Sequence, residues 1–259
     1  MNNRDEIAVS IDDAYVATVE IRRPPNNYFD TGLITGLAEV FARLDDDEAC
    51  RAIVLCSEGR HFCAGANLGG AGEAQLLEPG QGPDLYREAV RIFSGRIPIV
   101  AAVQGAAIGG GLGLACAADF RVASPRSRFV ANFSLLGFHH GFGLTVTLPR
   151  IVGTQHAQSM LYTGRRVSGD EALAIGLCDR LTEPEQLRAE SHAVAAEIAR
   201  AAPLAVQSIR ETLRGDLTAR VHAATVREDA EQERLRHTLD FTEGLAATAD
   251  RRTPRFVGR

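Results

Sequence analysis

The 259-residue sequence predicts an α/β fold, with a mixed β/α core over residues 1–182 and a helical region over 183–259. Three observations carry the prediction. Two apolar, strand-like runs, Ala52-Ile53-Val54-Leu55-Cys56 and Ile99-Val100-Ala101-Ala102-Val103, each lead into a glycine-rich turn. A helix-period segment precedes the first run and follows an earlier strand, an order that implies right-handed crossovers and parallel pairing. Beyond Glu183 the strand signals stop and the chain becomes Ala/Arg/Glu-rich with helical periodicity.

Taken in order, Ile7-Ala8-Val9-Ser10-Ile11 and Tyr15-Val16-Ala17-Thr18-Val19-Glu20-Ile21 alternate around Asp12-Asp13-Ala14 and read as a hairpin. Arg22-Arg23-Pro24-Pro25-Asn26-Asn27 breaks regular structure, because tandem prolines remove backbone donors. From Asp30, the residues Leu33, Leu37, Val40, Phe41 and Leu44 share one helix face, with Asp30 or Thr31 as cap. After the strand 52–56, residues 69–83 are rich in Gly, Glu and Gln and read as a mobile loop. A helix over 85–93 turns Leu85, Ala89, Ile92 and Phe93 inward. The strand 99–103 feeds a second glycine-rich turn, which opens a small-residue helix running through Ala117. Short strands follow at 120–123 and 128–130, short helices at 148–152, 156–162 and 169–174, and a last strand at 178–181.

Composition removes several function classes. The hydrophobic fraction of 45% and net charge of −5 are those of an ordinary soluble domain, with no basic surface for nucleic acid. No apolar run reaches membrane-spanning length and the N-terminus has no leader-like pattern, so a cytoplasmic protein is expected. The five cysteines (50, 56, 63, 116, 178) lack any C-x-x-C pair and read as buried thiols, not disulfides or metal ligands, although Cys63 lies inside the first glycine-rich segment. All 28 basic residues are arginine, which excludes lysine Schiff-base chemistry.

The chemistry centres on the two glycine-rich segments, Phe62-Cys63-Ala64-Gly65-Ala66-Asn67-Leu68 and Gly105-Ala106-Ala107-Ile108-Gly109-Gly110-Gly111-Leu112-Gly113-Leu114. Small residues keep side chains away, so another group can reach the backbone. Two such turns side by side could aim two N–H groups at one oxygen and form an oxyanion hole. Tight turns or close packing are the plainer explanation of the same glycines.

The first segment resembles F-x-A-G-A-D-L of the crotonase (enoyl-CoA hydratase/isomerase) superfamily, and the second, followed by Ala118-Asp119-Phe120-Arg121, resembles that family's G-G-G-x-E-L-x-x-x-C-D. Leu161-Tyr162-Thr163-Gly164, Glu171 to Leu177, and Asp240-Phe241-Thr242-Glu243-Gly244 are further family-like pieces in the right order. The resemblance implies a crotonase-type ββα core with a C-terminal helical trimerisation region, an acyl-CoA ligand with no cofactor beyond its CoA moiety, no metal, and a homotrimer or hexamer. Carried over by position, Ala66 and Gly110 would supply the oxyanion-hole amides. The backbone of Ala64, Ala66, Asn67, Leu68, Gly69 and Gly110 would contact the thioester and CoA.

The resemblance also exposes a gap. Hydratases of the family use two glutamates, and the matching positions here are Gly113 and Phe133. Leu136-Gly137-Phe138-His139-His140-Gly141-Phe142-Gly143-Leu144-Thr145 matches the family's L-G-x-x-P-G-x-G-x-T. There His140, and after it His139, are candidate acid/base groups near neutral pH, with a histidine bonded to a loop carbonyl as the alternative. Two functions stand: an isomerase, decarboxylase, C–C hydrolase or unusual hydratase with atypical acid/base residues, or a non-catalytic acyl-CoA binding or carrier protein.

Overall fold

A computed structural model describes residues 6–67 and 82–259. The loop expected over 69–83 therefore lies outside the described residues except at its last two positions, which already belong to a helix. The chain begins with β1 (Ile7–Ile11) and β2 (Val16–Ile21), paired antiparallel. Asp12 closes their turn, its Oδ1 accepting from the amides of Ala14 at 2.9 Å and Val16 at 3.1 Å. Helix α1 (Thr31–Asp45) starts at Asp30, whose Oδ1 accepts from Leu33 N at 2.8 Å, and crosses to β3 (Ala52–Ser57). Helix α2 (Gly82–Ser94) then precedes β4 (Ile99–Val103).

The second glycine-rich segment holds a short strand β5 (Ala106–Ile108) before α3 (Gly110–Ala117), a strand the sequence reading did not contain. Next come β6 (Phe120–Ala123) and β7 (Arg128–Val130), then a 3₁₀ turn, Asn132–Leu136. Helix α4 (Leu144–Thr163) is interrupted at Gly153 (φ 75°, ψ 162°), so the two short helices read there are the halves of one kinked element. The strand β8 (Arg166–Ser168) was not foreseen, and α5 (Gly169–Ala174) and β9 (Arg180–Leu181) complete the β-bearing part. From there the chain is helical: α6 (Leu187–Ala199), α7 (Pro203–Arg214), α8 (Leu217–Arg236) and α9 (Leu239–Ala249).

The larger sheet runs β1-β2-β3-β4-β6-β9, parallel throughout except for the opening hairpin; a second sheet runs β5-β7-β8. Alternation along the strands splits the core. Val16, Ala52, Val54, Val100, Ala102 and Val122 pack on Leu187, Val194 and Ala195 of α6. Val19, Ile53, Leu55, Ile99, Ala101 and Val103 face the other way, into the cluster with α1, α2, α3 and α4. Burial on both faces explains why β3 and β4 read as unbroken apolar runs. Among the described residues no helix is long and apolar enough to cross a membrane.

Candidate active site

The two glycine-rich segments lie against each other. Cys63 N donates to Ala106 O and Ile108 N to Cys63 O, both at 3.0 Å, forming a parallel bridge between Cys63 and Ala107. The approach needs glycine: a Cβ at Gly111 would lie 2.2 Å from Cys63 O, and one at Gly65 would lie 2.8 Å from Ile108 O. Behind them, the amide of Ala106 donates to His61 Nδ1 at 3.1 Å. His61 is thus half-buried and structural, not the exposed residue its position before the first segment suggests.

Beyond the bridge, the chain at Ala64, Gly65 and Ala66 and at Ile108, Gly109 and Gly110 borders one cavity of about 80 Å³. No acceptor for the amides of Ala66 and Gly110 is found among the described residues. Gly110 opens α3, so the positive end of that helix lies at the cavity. The rest of the wall is largely apolar: Phe29, Leu85, Phe133, Leu136, Phe138 and Phe142. Phe29 sits over Gly110, where a Cβ would come within 2.1 Å of its ring, and meets Phe142 edge-on at 6.1 Å. The polar lining consists of Asn132, Tyr86, Gln232 and Arg236, and none of the described lining residues is a carboxylate or thiol.

The remaining sequence-predicted residues fall as follows. Ala64, Ala66 and Gly110 are brought together at the cavity. Asn67 is described, whereas Leu68 and Gly69 lie outside the described residues. Gly113 is packed under Phe142, and Phe133 forms part of the wall. His139 and His140 are not among the described residues that line the cavity, and His139 takes the alternative arrangement, bonded to a loop carbonyl. His139 Nδ1 lies 2.7 Å from the carbonyl of His140; a carbonyl only accepts, so this nitrogen carries the proton. His140 Nε2 is 2.8 Å from Thr145 Oγ1, which itself donates to Glu228 Oε1 at 2.6 Å. Burial, followed by the neighbouring His139, pushes His140 down to about 4, so it is uncharged at neutral pH. The Cys63 thiol is fully buried and pushed up to about 12, so it is no nucleophile.

Helix α8 contributes three residues that no motif in the sequence marks: Glu228, Gln232 and Arg236. They recur every four residues on one face of that helix. Glu228 accepts from Gly143 N at 2.8 Å and Thr145 N at 3.0 Å, shaping the loop behind the cavity; burial raises its pKa. Tyr86 donates to Gln232 Oε1 at 2.7 Å, and Gln232 Nε2 donates to the His139 carbonyl at 2.9 Å. Burial drives the Tyr86 phenol far above its usual range, leaving it a hydrogen-bonding group and not a base. The polar i, i+4, i+8 stripe on α8 was the available signal.

Residues 12–259 match the family model described as Enoyl-CoA hydratase/isomerase. The sequence is 31% identical to the carnitinyl-CoA dehydratase of Proteus mirabilis (strain HI4320), over 94% of this chain and 95% of that protein. A Bacillus subtilis (strain 168) protein named probable enoyl-CoA hydratase is 32% identical over 95% of this chain and 96% of its own length. The crystal structure of an enoyl-CoA hydratase/isomerase from Pseudoalteromonas atlantica T6c superposes with a TM-score of 0.87 at 32% identity, covering 97% of this chain and all of that one.

Proposed function

The chain belongs to the enoyl-CoA hydratase/isomerase family, and on that footing we propose that it binds an acyl-CoA thioester and stabilises its enolate with the amides of Ala66 and Gly110. The observation that supports the reading is the backbone bridge at Cys63 and Ala107, beside which Ala66 and Gly110 border one largely apolar cavity and their amides lack an acceptor among the described residues. A low-dielectric wall strengthens such donors, and one of them is worth about 3–4 kcal/mol of transition-state stabilisation in other enzymes.

The lining favours reactions that need no carboxylate base. With Gly113 and Phe133 at the positions of the hydratase glutamates, water addition of the ordinary kind lacks its acid and base. Decarboxylation fits better, since an ionised carboxylate leaves as carbon dioxide and the electron pair of the broken C–C bond itself forms the enolate. Relatives are named as a dehydratase and a hydratase, which supports an enzyme of this superfamily. Among the described lining residues there is no carboxylate, which also favours a second reading, a non-catalytic acyl-CoA carrier. An assembly of three or six copies through the helical region accompanies either proposal.

The test follows a panel of saturated, 2-enoyl, 3-enoyl and β-keto CoA thioesters by mass spectrometry. Gly110 is the first residue of α3, where proline is tolerated because that N–H has no helical partner. Phe29 must yield, so Gly110→Pro is made in a Phe29→Ala background and compared with Phe29→Ala alone, with folding checked by circular dichroism. Conversion lost only in the folded double variant supports the enzyme. Tight binding without conversion supports the carrier, and absence of both overturns the acyl-CoA reading.

A further inference from the structure

The cavity bordered by Ala66 and Gly110 is apolar among its described lining except where Tyr86 of α2 meets Gln232 and Arg236 of α8, with Asn132 contributing from the 3₁₀ turn. Tyr86 and Gln232 are engaged with each other and with the His139 carbonyl. Arg236 is different. Its side chain is only 15% exposed, and its guanidinium donates no hydrogen bond to any described residue. Nε is buried without an acceptor; Glu233 Oε2 is 3.5 Å away, out of line for a hydrogen bond and half exposed. The guanidinium lies over the Phe138 ring, 5.6 Å from its centroid. A ring contact of this kind takes up none of its N–H groups in a hydrogen bond to an acceptor.

A buried donor without an acceptor is costly, and a planar guanidinium fork matches a carboxylate. We infer that Arg236 reads the acyl group, and that the ligand is a CoA thioester whose acyl chain ends in a carboxylate: the monothioester of a dicarboxylic acid. The inference rests on the acyl-CoA reading above. It also sets the site against acyl groups that carry a positive charge, which would meet Arg236 without a counter-ion inside the cavity.

Binding is measured by calorimetry for malonyl-, succinyl- and glutaryl-CoA, for the terminal methyl ester of each, and for 4-(trimethylammonio)butyryl-CoA, with wild type and Arg236→Gln. At least one free acid is expected to bind about tenfold or more tightly than its own methyl ester, as a charge-assisted bond allows, and the cationic thioester weakest of all. Arg236→Gln should abolish the preference, bringing each acid to within about twofold of its own methyl ester. Equal affinity for every acid and its ester in wild type overturns the inference. So does a preference that survives Arg236→Gln, or an equal loss for all thioesters, which would put Arg236 on the CoA phosphates they share. Binding without discrimination leaves the acyl-CoA reading standing; binding of none of the thioesters removes both.

Discussion

At the scale of single residues, the packing around Gly113 leaves no room for a side chain. A Cβ at 113 would lie 2.6 Å from Phe142 Cβ and 2.8 Å from two of its ring carbons, while Phe142 is itself 1% exposed and held at φ 61°. A glutamate at this position therefore overpacks the wall. Gly113→Glu is expected to lose about 1–3 kcal/mol in denaturant unfolding and to gain no hydration of 2-enoyl thioesters; wild-type stability in that variant would refute the clash. The buried pair behind the loop makes a pH prediction. His140 has a folded pKa of about 4 against 6.5 when free, so its contribution is complete above about 6.5 and is lost as pH falls towards 4. At about 1.4 kcal/mol per unit this amounts to roughly 3 kcal/mol. Glu228, raised by burial, works in the opposite sense: its contribution is present below its free value of 4.5 and lost as pH rises through the folded one. His140→Asn should flatten the acid limb of the stability profile between pH 6.5 and 4, and an unchanged limb would show that His140 does not set it.

At the scale of elements, periodicity and chemistry were legible to different depths. The hairpin, α1 with its Asp30 cap, β3 and β4 were readable because burial on one or both sheet faces writes directly into residue alternation. The three-residue strands β5 and β8 were not, since pairing with β7 defines them and their own composition does not. Gly65 and Gly110 could be picked out by type, yet the reason for Gly111 is a neighbour far along the chain, the carbonyl of Cys63. Gln232 and Arg236 were hidden for the opposite reason: polar residues on a charged helix look solvated until α2 and the 133–142 loop cover them. The element-scale prediction is that Gly111→Ala, which must push the two glycine-rich segments apart, weakens thioester binding more than tenfold and costs about 1–3 kcal/mol. Gly153→Ala is its control, because a Cβ there meets nothing within 4 Å and only the φ of 75° resists it. Equal binding losses in the two variants would show that the contact of the segments does not position the amides.

At the scale of the whole molecule, Asp119 joins the helical region to the sheet. Its carboxylate accepts from Ile99 N at 2.8 Å, from Arg210 Nε at 2.9 Å and from Arg214 Nη2 at 2.8 Å, and all three side chains are largely buried. Asp119 stood out in the sequence only as part of a motif; its partners lie on α7, over ninety residues away. Asp119→Ala would strand two buried guanidinium groups, an arrangement that costs about 3–5 kcal/mol and should lower the denaturant midpoint accordingly. The clamp fixes one side of α7 and leaves the other bare, with Leu204 79%, Ile209 59% and Leu213 70% exposed. Ile209 and Leu213 also border a groove of about 480 Å³ shared with Phe120, Ile151 and Ile198. Exposed apolar side chains of this kind are what the proposed assembly of like copies would cover. Sedimentation equilibrium should then give three or six times the 27.8 kDa of one chain. Leu213→Glu, a change on the exposed face that leaves Asp119 and its arginines in place, should shift the mass towards the monomer without altering the far-ultraviolet circular dichroism. A monomeric wild type would remove the assembly, and an unshifted Leu213→Glu would move the interface away from α7.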